Sequence, residues 1–133
     1  RHPTAHVIDI MATCLDAAGV PYPTEANGQE ITPLEGESIL PALTDSDWRR
    51  EHPIFLEHIG NRGIRTEEWK LVSEKANGNW ELYNMTEDRT ELMDYADCEP
   101  QRARLLEAEY HSWAARCGVR TLDELRAIRE KKM

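Results

Sequence analysis

A nine-residue stretch of glycines and polar side chains, Glu57-His58-Ile59-Gly60-Asn61-Arg62-Gly63-Ile64-Arg65, limits what this chain can become more than any other feature. Pro53 to Leu56 runs into it as a short apolar strand, and Ile64 to Leu71 leaves it as another. Gly60 and Gly63 allow backbone angles or close approaches that a Cβ forbids. His58, Asn61, Arg62 and Arg65 add a proton carrier, an amide and two guanidinium forks. Spacing alone leaves two readings open. One is a hairpin turn whose polar side chains satisfy one another, and the other is a site fixed against a rigid sheet.

With 133 residues the chain has the length of one domain and can bury roughly two-thirds of the surface its unfolded form exposes. Its 25 acidic residues outnumber 16 basic ones, and the formal charge of -9 is spread along the sequence. A phosphate-backbone footprint needs the opposite balance, so nucleic acid is not an expected partner. No run of about 18 apolar residues is present, so no membrane span is expected. The opening Arg1-His2-Pro3-Thr4 lacks an initiator methionine, which leaves the compartment unknown. Cys14, Cys98 and Cys117 form no C-x-x-C pair and are expected as small buried thiols, not as a disulfide framework or zinc site.

Taken in order, Thr4 to Ala18 reads as an amphipathic helix with Val7, Met11, Cys14, Leu15 and Ala18 on one stripe, ended by Gly19. His6 falls in its first turn and reads as a surface histidine. Tyr22 to Ala42 carries three of the seven prolines and little periodicity, so an irregular loop is expected, with a short helical turn over Ser38 to Leu43. Strands follow: Trp69 to Ser73 and Trp80 to Tyr83 flank Asn77-Gly78, a two-residue hairpin signal. Trp80 and Leu82 should face one side, Glu81 and Tyr83 the other. Asn84-Met85-Thr86 matches the glycosylation pattern, a tripeptide too common to carry weight. Pro100 to Cys117 reads as a helix with Pro100 at its first position and Leu106, Tyr110, Trp113, Ala114 and Cys117 at helical spacing. Thr121 to Glu124 is a capping box that opens a last short helix, with Lys131 and Lys132 at its negative end. The expected fold is α+β, a small antiparallel sheet of about four strands with a C-terminal helix packed on it. Its divisions are residues 1–52 (entry helix and loop), 53–119 (sheet and packing helix) and 120–133 (terminal helix).

The chain alone offers no catalytic set. It has no phosphate-cradling glycine loop, nucleophile elbow, H-E-x-x-H or carboxylate metal loop. Asp9 and Asp16, on the first helix, read as a solvated face. Glu57 and His58 are neighbours in a strand, where adjacent side chains face opposite ways, so no relay joins them.

Several segments together carry a resemblance. Glu57 to Arg65, then Glu68-Trp69-Lys70-Leu71-Val72, then Trp80-Glu81-Leu82-Tyr83-Asn84, resemble in that order the C-terminal part of type I arylsulfatases of the alkaline phosphatase superfamily. His6 to Thr13 resembles the helix that enters that part, and Trp113 to Val119 its last helix, so the similarity runs from about Ala5 to Val119. Family sulfatases use a formylglycine, made from Cys or Ser in a C/S-x-P-S-R signature, as hydrated nucleophile beside a calcium ion held by Asp and Asn. None of this is in the sequence: Cys14 precedes Leu15-Asp16-Ala17, Cys98 precedes Glu99-Pro100-Gln101, and Cys117 precedes Gly118-Val119-Arg120. The resemblance therefore implies no catalytic residue or metal ligand here. Calcium and formylglycine are expected in an upstream catalytic domain of the same protein, this chain's partner, with a sulfate ester as substrate. It further implies that His58 lines the substrate pocket on the leaving-group side, with Asn61 and Arg62 shaping the wall. Arg65 is expected as scaffold, and Gly63 stands where relatives are expected to carry alanine. Two rival readings remain, a phosphodiesterase or phosphonate hydrolase of the same superfamily and a stand-alone interaction module.

Overall fold

The computed structural model describes residues 3–75 and 78–131. The chain forms two compact units, one ending at His52 and the other starting at Pro53. The first helix, α1 (Asp9–Ala18), begins later than Thr4. Asp9 Oδ2 accepts the His6 N–H at 2.7 Å, and the Asp9 and Ile10 N–H groups return to His6 O and Val7 O, closing a turn in place of a first helical turn. Gly19 takes the left-handed conformation (φ 65°) and gives its N–H to Asp16 O, while Val20 N–H reaches Leu15 O. The expected apolar stripe does not become a core: Val7, Met11 and Cys14 are exposed, and the helix buries Asp9 instead.

The segment expected as an irregular loop contains a hairpin, β1 (Glu25–Ala26) against β2 (Gln29–Glu30). Its turn, Asn27-Gly28, has φ of 54° and 76°, and two positive values in a two-residue loop match the twist of the flanking strands. A short 3-10 turn follows at Leu40–Leu43.

In the second unit four strands lie in sequence order in one antiparallel sheet: β3 (Ile54–His58), β4 (Asn61–Arg65), β5 (Trp69–Ser73) and β6 (Glu81–Asn84). Cross-strand partners Phe55, Ile64, Leu71 and Leu82 share one face. Helix α2 (Pro100–Arg116) closes over them, and Ile64, Leu71, Leu82, Leu106 and Tyr110 form the buried cluster. Phe55 stacks on Trp113 at 4.9 Å between ring centres. Leu82 also bonds the chain beyond β6, giving its N–H to Asp94 Oδ1 (2.9 Å) and accepting from Tyr95 N–H (2.7 Å), so this edge of the sheet is covered. Helix α3 (Leu122–Glu130) starts at the Thr121–Glu124 capping box and buries no residue.

The Asn77-Gly78 hairpin is corrected. The β5–β6 ladder stops at Val72 opposite Glu81, so the connection is longer than two residues. Asn77 lies outside the described residues. Gly78 serves another need, since a Cβ there would stand 1.8 Å from Glu74 O. The cysteines are corrected too, because Cys14, Cys98 and Cys117 are exposed.

Candidate functional site

The nine-residue polar stretch is mostly strand. Its turn is only Ile59-Gly60, and His58 pairs directly with Asn61 across it. Both turn residues have positive φ, 53° at Ile59 and 87° at Gly60. A β-branched residue is a poor occupant of such a position, and neighbouring groups hold it there. Glu57 Oε1 accepts the Gly60 N–H at 2.9 Å, and Glu57 Oε2 accepts the Tyr110 hydroxyl at 3.0 Å. Burial and then this bond raise the Tyr110 pKa, so the phenol stays a donor. On the other side of the turn Asn61 Nδ2 donates to His58 O (3.0 Å) and Asn61 Oδ1 accepts from Lys75 N–H (3.0 Å).

Alternation along the strands divides the candidate residues. Glu57, Arg62 and Ser73 are cross-strand neighbours on the face that carries Ile64 and Leu71. Arg62 Nη2 donates to Ser73 Oγ at 3.0 Å and to Gly78 O at 3.4 Å, and its guanidinium lies 4.6 Å from the Trp80 ring centre. Trp80 is itself tied to Glu107 through its indole N–H at 2.7 Å. His58 and Asn61 share the opposite face with Leu56, Gly63 and Val72. His58 is exposed, and among the described residues no side chain bonds its ring. Glu57 and His58 thus point to opposite faces, as their places in one strand require. Arg65 donates to the Thr66 and Trp69 carbonyls, clamping the β4–β5 turn. At the end of β6, Asn84 of the glycosylation-like tripeptide accepts the Thr86 N–H at 3.0 Å, building a turn.

Asp9 is the second polar centre, in the first unit. Instead of a solvated face it is 1% exposed, with Arg50 Nη1 at 2.6 Å, Glu37 N–H at 3.0 Å and the His6 N–H on its carboxylate. Burial pushes the Asp9 pKa up, and the bonds from Arg50, Glu37 and His6 outweigh it and hold the group below its ordinary 3.8. Glu37 in turn accepts the Glu51 and His52 N–H groups. Asp16 accepts the Ser38 hydroxyl at 2.5 Å. Each of these carboxylates is engaged in fixing the chain. Among the described residues no group of three His, Cys, Asp or Glu side chains could hold a metal ion, and no helix is long and apolar enough to cross a membrane.

Sequence reasoning missed the brace Glu57–Tyr110, the left-handed Ile59 and the Asp9–Arg50 pair. A signal existed for Ile59: a two-residue gap ending in glycine between strands, with an apolar residue where asparagine is favoured.

Residues 3–112 match the family model described as N-sulphoglucosamine sulphohydrolase, C-terminal. The chain belongs to the sulfatases. It is 34% identical over 117 residues to the N-acetylglucosamine-6-O-sulfatase of Bacteroides thetaiotaomicron, covering 75% of this chain and 20% of that protein. To human arylsulfatase K it is 28% identical over 116 residues, covering 80% of this chain and 21% of that one. The structure of Ps i-CgsB in complex with k-i-k-neocarrahexaose shares the fold, with a TM-score of 0.60 and 24% identity over 80% of this chain and 23% of that one. This sulfatase chain thus spans about a fifth of the length of its relatives and corresponds to a C-terminal portion, α+β in class.

Proposed function

We propose that this portion serves a sulfatase that hydrolyses a sulfate ester, supplying scaffold and one wall of the substrate pocket and not the reacting groups. The upstream catalytic domain would hold the calcium ion and the formylglycine nucleophile; no cysteine here has the required signature, and no step is assigned to this chain's carboxylates. His58 is the pocket residue. The observation that carries this is its exposed ring, which among the described residues no side chain bonds, at the end of a braced hairpin on the sheet face opposite α2. Asn61 and Arg62 shape the wall by position: one fixes the His58 carbonyl and the β5–β6 connection, the other pins β4 to Ser73 and Trp80. Cleavage of the S–O bond builds negative charge on the leaving oxygen, and an imidazole N–H presented there by the braced hairpin stabilises that charge or supplies the proton. The relatives named for N-acetylglucosamine-6-O-sulfate and sulphoglucosamine hydrolysis support a sulfated sugar as substrate.

The test is kinetic, in the full-length enzyme. His58→Ala should lower kcat by about 10²-fold, the effect of removing one preorganised donor, while His58→Gln retains part of the rate. Unchanged kinetics in both variants would reduce His58 to scaffold and remove the hairpin from the pocket.

A further inference from the structure

The chain contains the same turn twice, and the two copies differ at one residue. Asn27-Gly28 and Ile59-Gly60 both join paired strands, with nearly equal φ at the first position, 54° and 53°. Asparagine is what such a position favours, because its short polar side chain tolerates the left-handed region. Isoleucine is a β-branched side chain that crowds the backbone there. Among the described residues, those with positive φ other than glycine are Asn27, Ile59, Lys75 and Glu91, and of these only Ile59 is β-branched. Nor does the strain gain burial within this portion of the protein, where Ile59 is 63% exposed. Three fixed bonds hold the turn nevertheless: Gly60 N–H and Tyr110 hydroxyl on Glu57, and Asn61 on His58 O. A braced, locally unfavourable apolar side chain beside an exposed histidine is a pattern that points to a functional contact.

We propose that Ile59 is a specificity-determining residue at the pocket rim, packing its aliphatic side chain against the apolar ring face of the substrate's organic half while His58 meets the ester. This rests on the pocket-wall reading above. The chemistry it selects is a flat or ring-shaped apolar surface next to the sulfate-bearing carbon, as a pyranose or aryl ring presents.

Ile59→Asn in the full-length enzyme places at this turn the residue that the Asn27 turn already uses. Kinetics on N-acetylglucosamine 6-sulfate, or on 4-nitrophenyl sulfate where the sugar ester is not turned over, should show KM raised about tenfold with kcat nearly kept, and a melting temperature equal or higher as strain is relieved. Ile59→Val, which keeps most of the apolar contact, should restore KM to within about threefold of the parent. Unchanged KM with a raised melting temperature would make the strain functionless and overturn the proposal. A lowered melting temperature would overturn it differently, by placing Ile59 in packing against the rest of the protein. His58→Ala separates the two claims: if it impairs kcat while Ile59→Asn leaves KM alone, only the rim contact fails, and if neither variant changes the kinetics, the pocket-wall reading fails with it.

Discussion

Residues up to His52 close around a carboxylate, whereas those from Pro53 onward close around leucine, isoleucine and tyrosine. In the first unit Asp9 and Arg50 are the buried pair, and the apolar side chains of Val7, Ile10 and Met11 stay exposed. In the second, Ile64, Leu71 and Leu82 are fully buried beneath α2, and His58 and Asn61 stand exposed at one end of the other sheet face. The difference lies in how each unit holds its geometry. A hydrogen-bonded charge pair fixes a few directions sharply and fails abruptly when one partner goes. An apolar core tolerates a missing contact but does not aim side chains, so the His58 hairpin needs its own polar braces.

Losing Arg50 is the sharpest way to break this contrast. Arg50→Ala leaves the Asp9 carboxylate buried without its cation and should cost the first unit about 3–5 kcal/mol, seen as lost exchange protection at the Glu37 and Ile39 amides, which bond Asp9 and Thr13. The pH dependence gives the sign. Asp9 has a folded pKa below its ordinary 3.8, so its contribution is present above that value and lost as pH falls through the lower one. In Arg50→Ala the loss should begin at higher pH. An unchanged acid limit would mean that Asp9 does not organise this unit.

Tyr110→Phe tests the brace of the second unit. Deleting the hydroxyl removes the bond to Glu57 and should cost about 1–3 kcal/mol, with faster exchange at the Gly60 amide, while the Asn27 turn is unaffected. Equal exchange at Gly60 in both proteins would show that the turn stands without its brace.

The smallest effect belongs to Gly63. A Cβ there would meet Val72 Cγ1 at 3.3 Å and Leu56 Cδ1 at 3.5 Å, contacts that small side-chain shifts relieve, and the residue does not have positive φ. Gly63→Ala should therefore change stability by no more than about 0.5 kcal/mol in a denaturant titration. A loss of several times that size would mean that the sheet face opposite α2, where Ile54 and Tyr83 are also buried, is rigid, unlike the tolerant core on the α2 side.

How much of this was legible in the sequence depends on how local the cause is. Pro100, the Leu106-Tyr110-Trp113 spacing and the Thr121–Glu124 capping box are local signals, and α2 and α3 follow them. Cross-strand partners Leu71 and Leu82 made the alternation of Trp80 to Tyr83 readable. Asn-Gly pairs were ambiguous because the dipeptide permits a turn without fixing the register: at Asn27-Gly28 it makes the two-residue hairpin, while β5 and β6 are set by their apolar partners and joined by a longer connection. Asp9 gave no signal, since its cation stands 41 residues away and an acidic residue early in a helix ordinarily faces water. The site is legible only in part: His58 stood out by residue type, whereas the brace that presents it joins Glu57 to a tyrosine 53 residues on.

The measurement that bears most directly on the sulfatase-pocket reading is a crystal structure of the full-length enzyme with a non-hydrolysed sulfated-sugar analogue bound. The expected result places a His58 ring nitrogen within about 3.2 Å of the ester's leaving-group oxygen, with Ile59 against the sugar ring. A bound analogue whose ester lies beyond reach of the β3–β4 hairpin would contradict it, leaving this portion as scaffold alone.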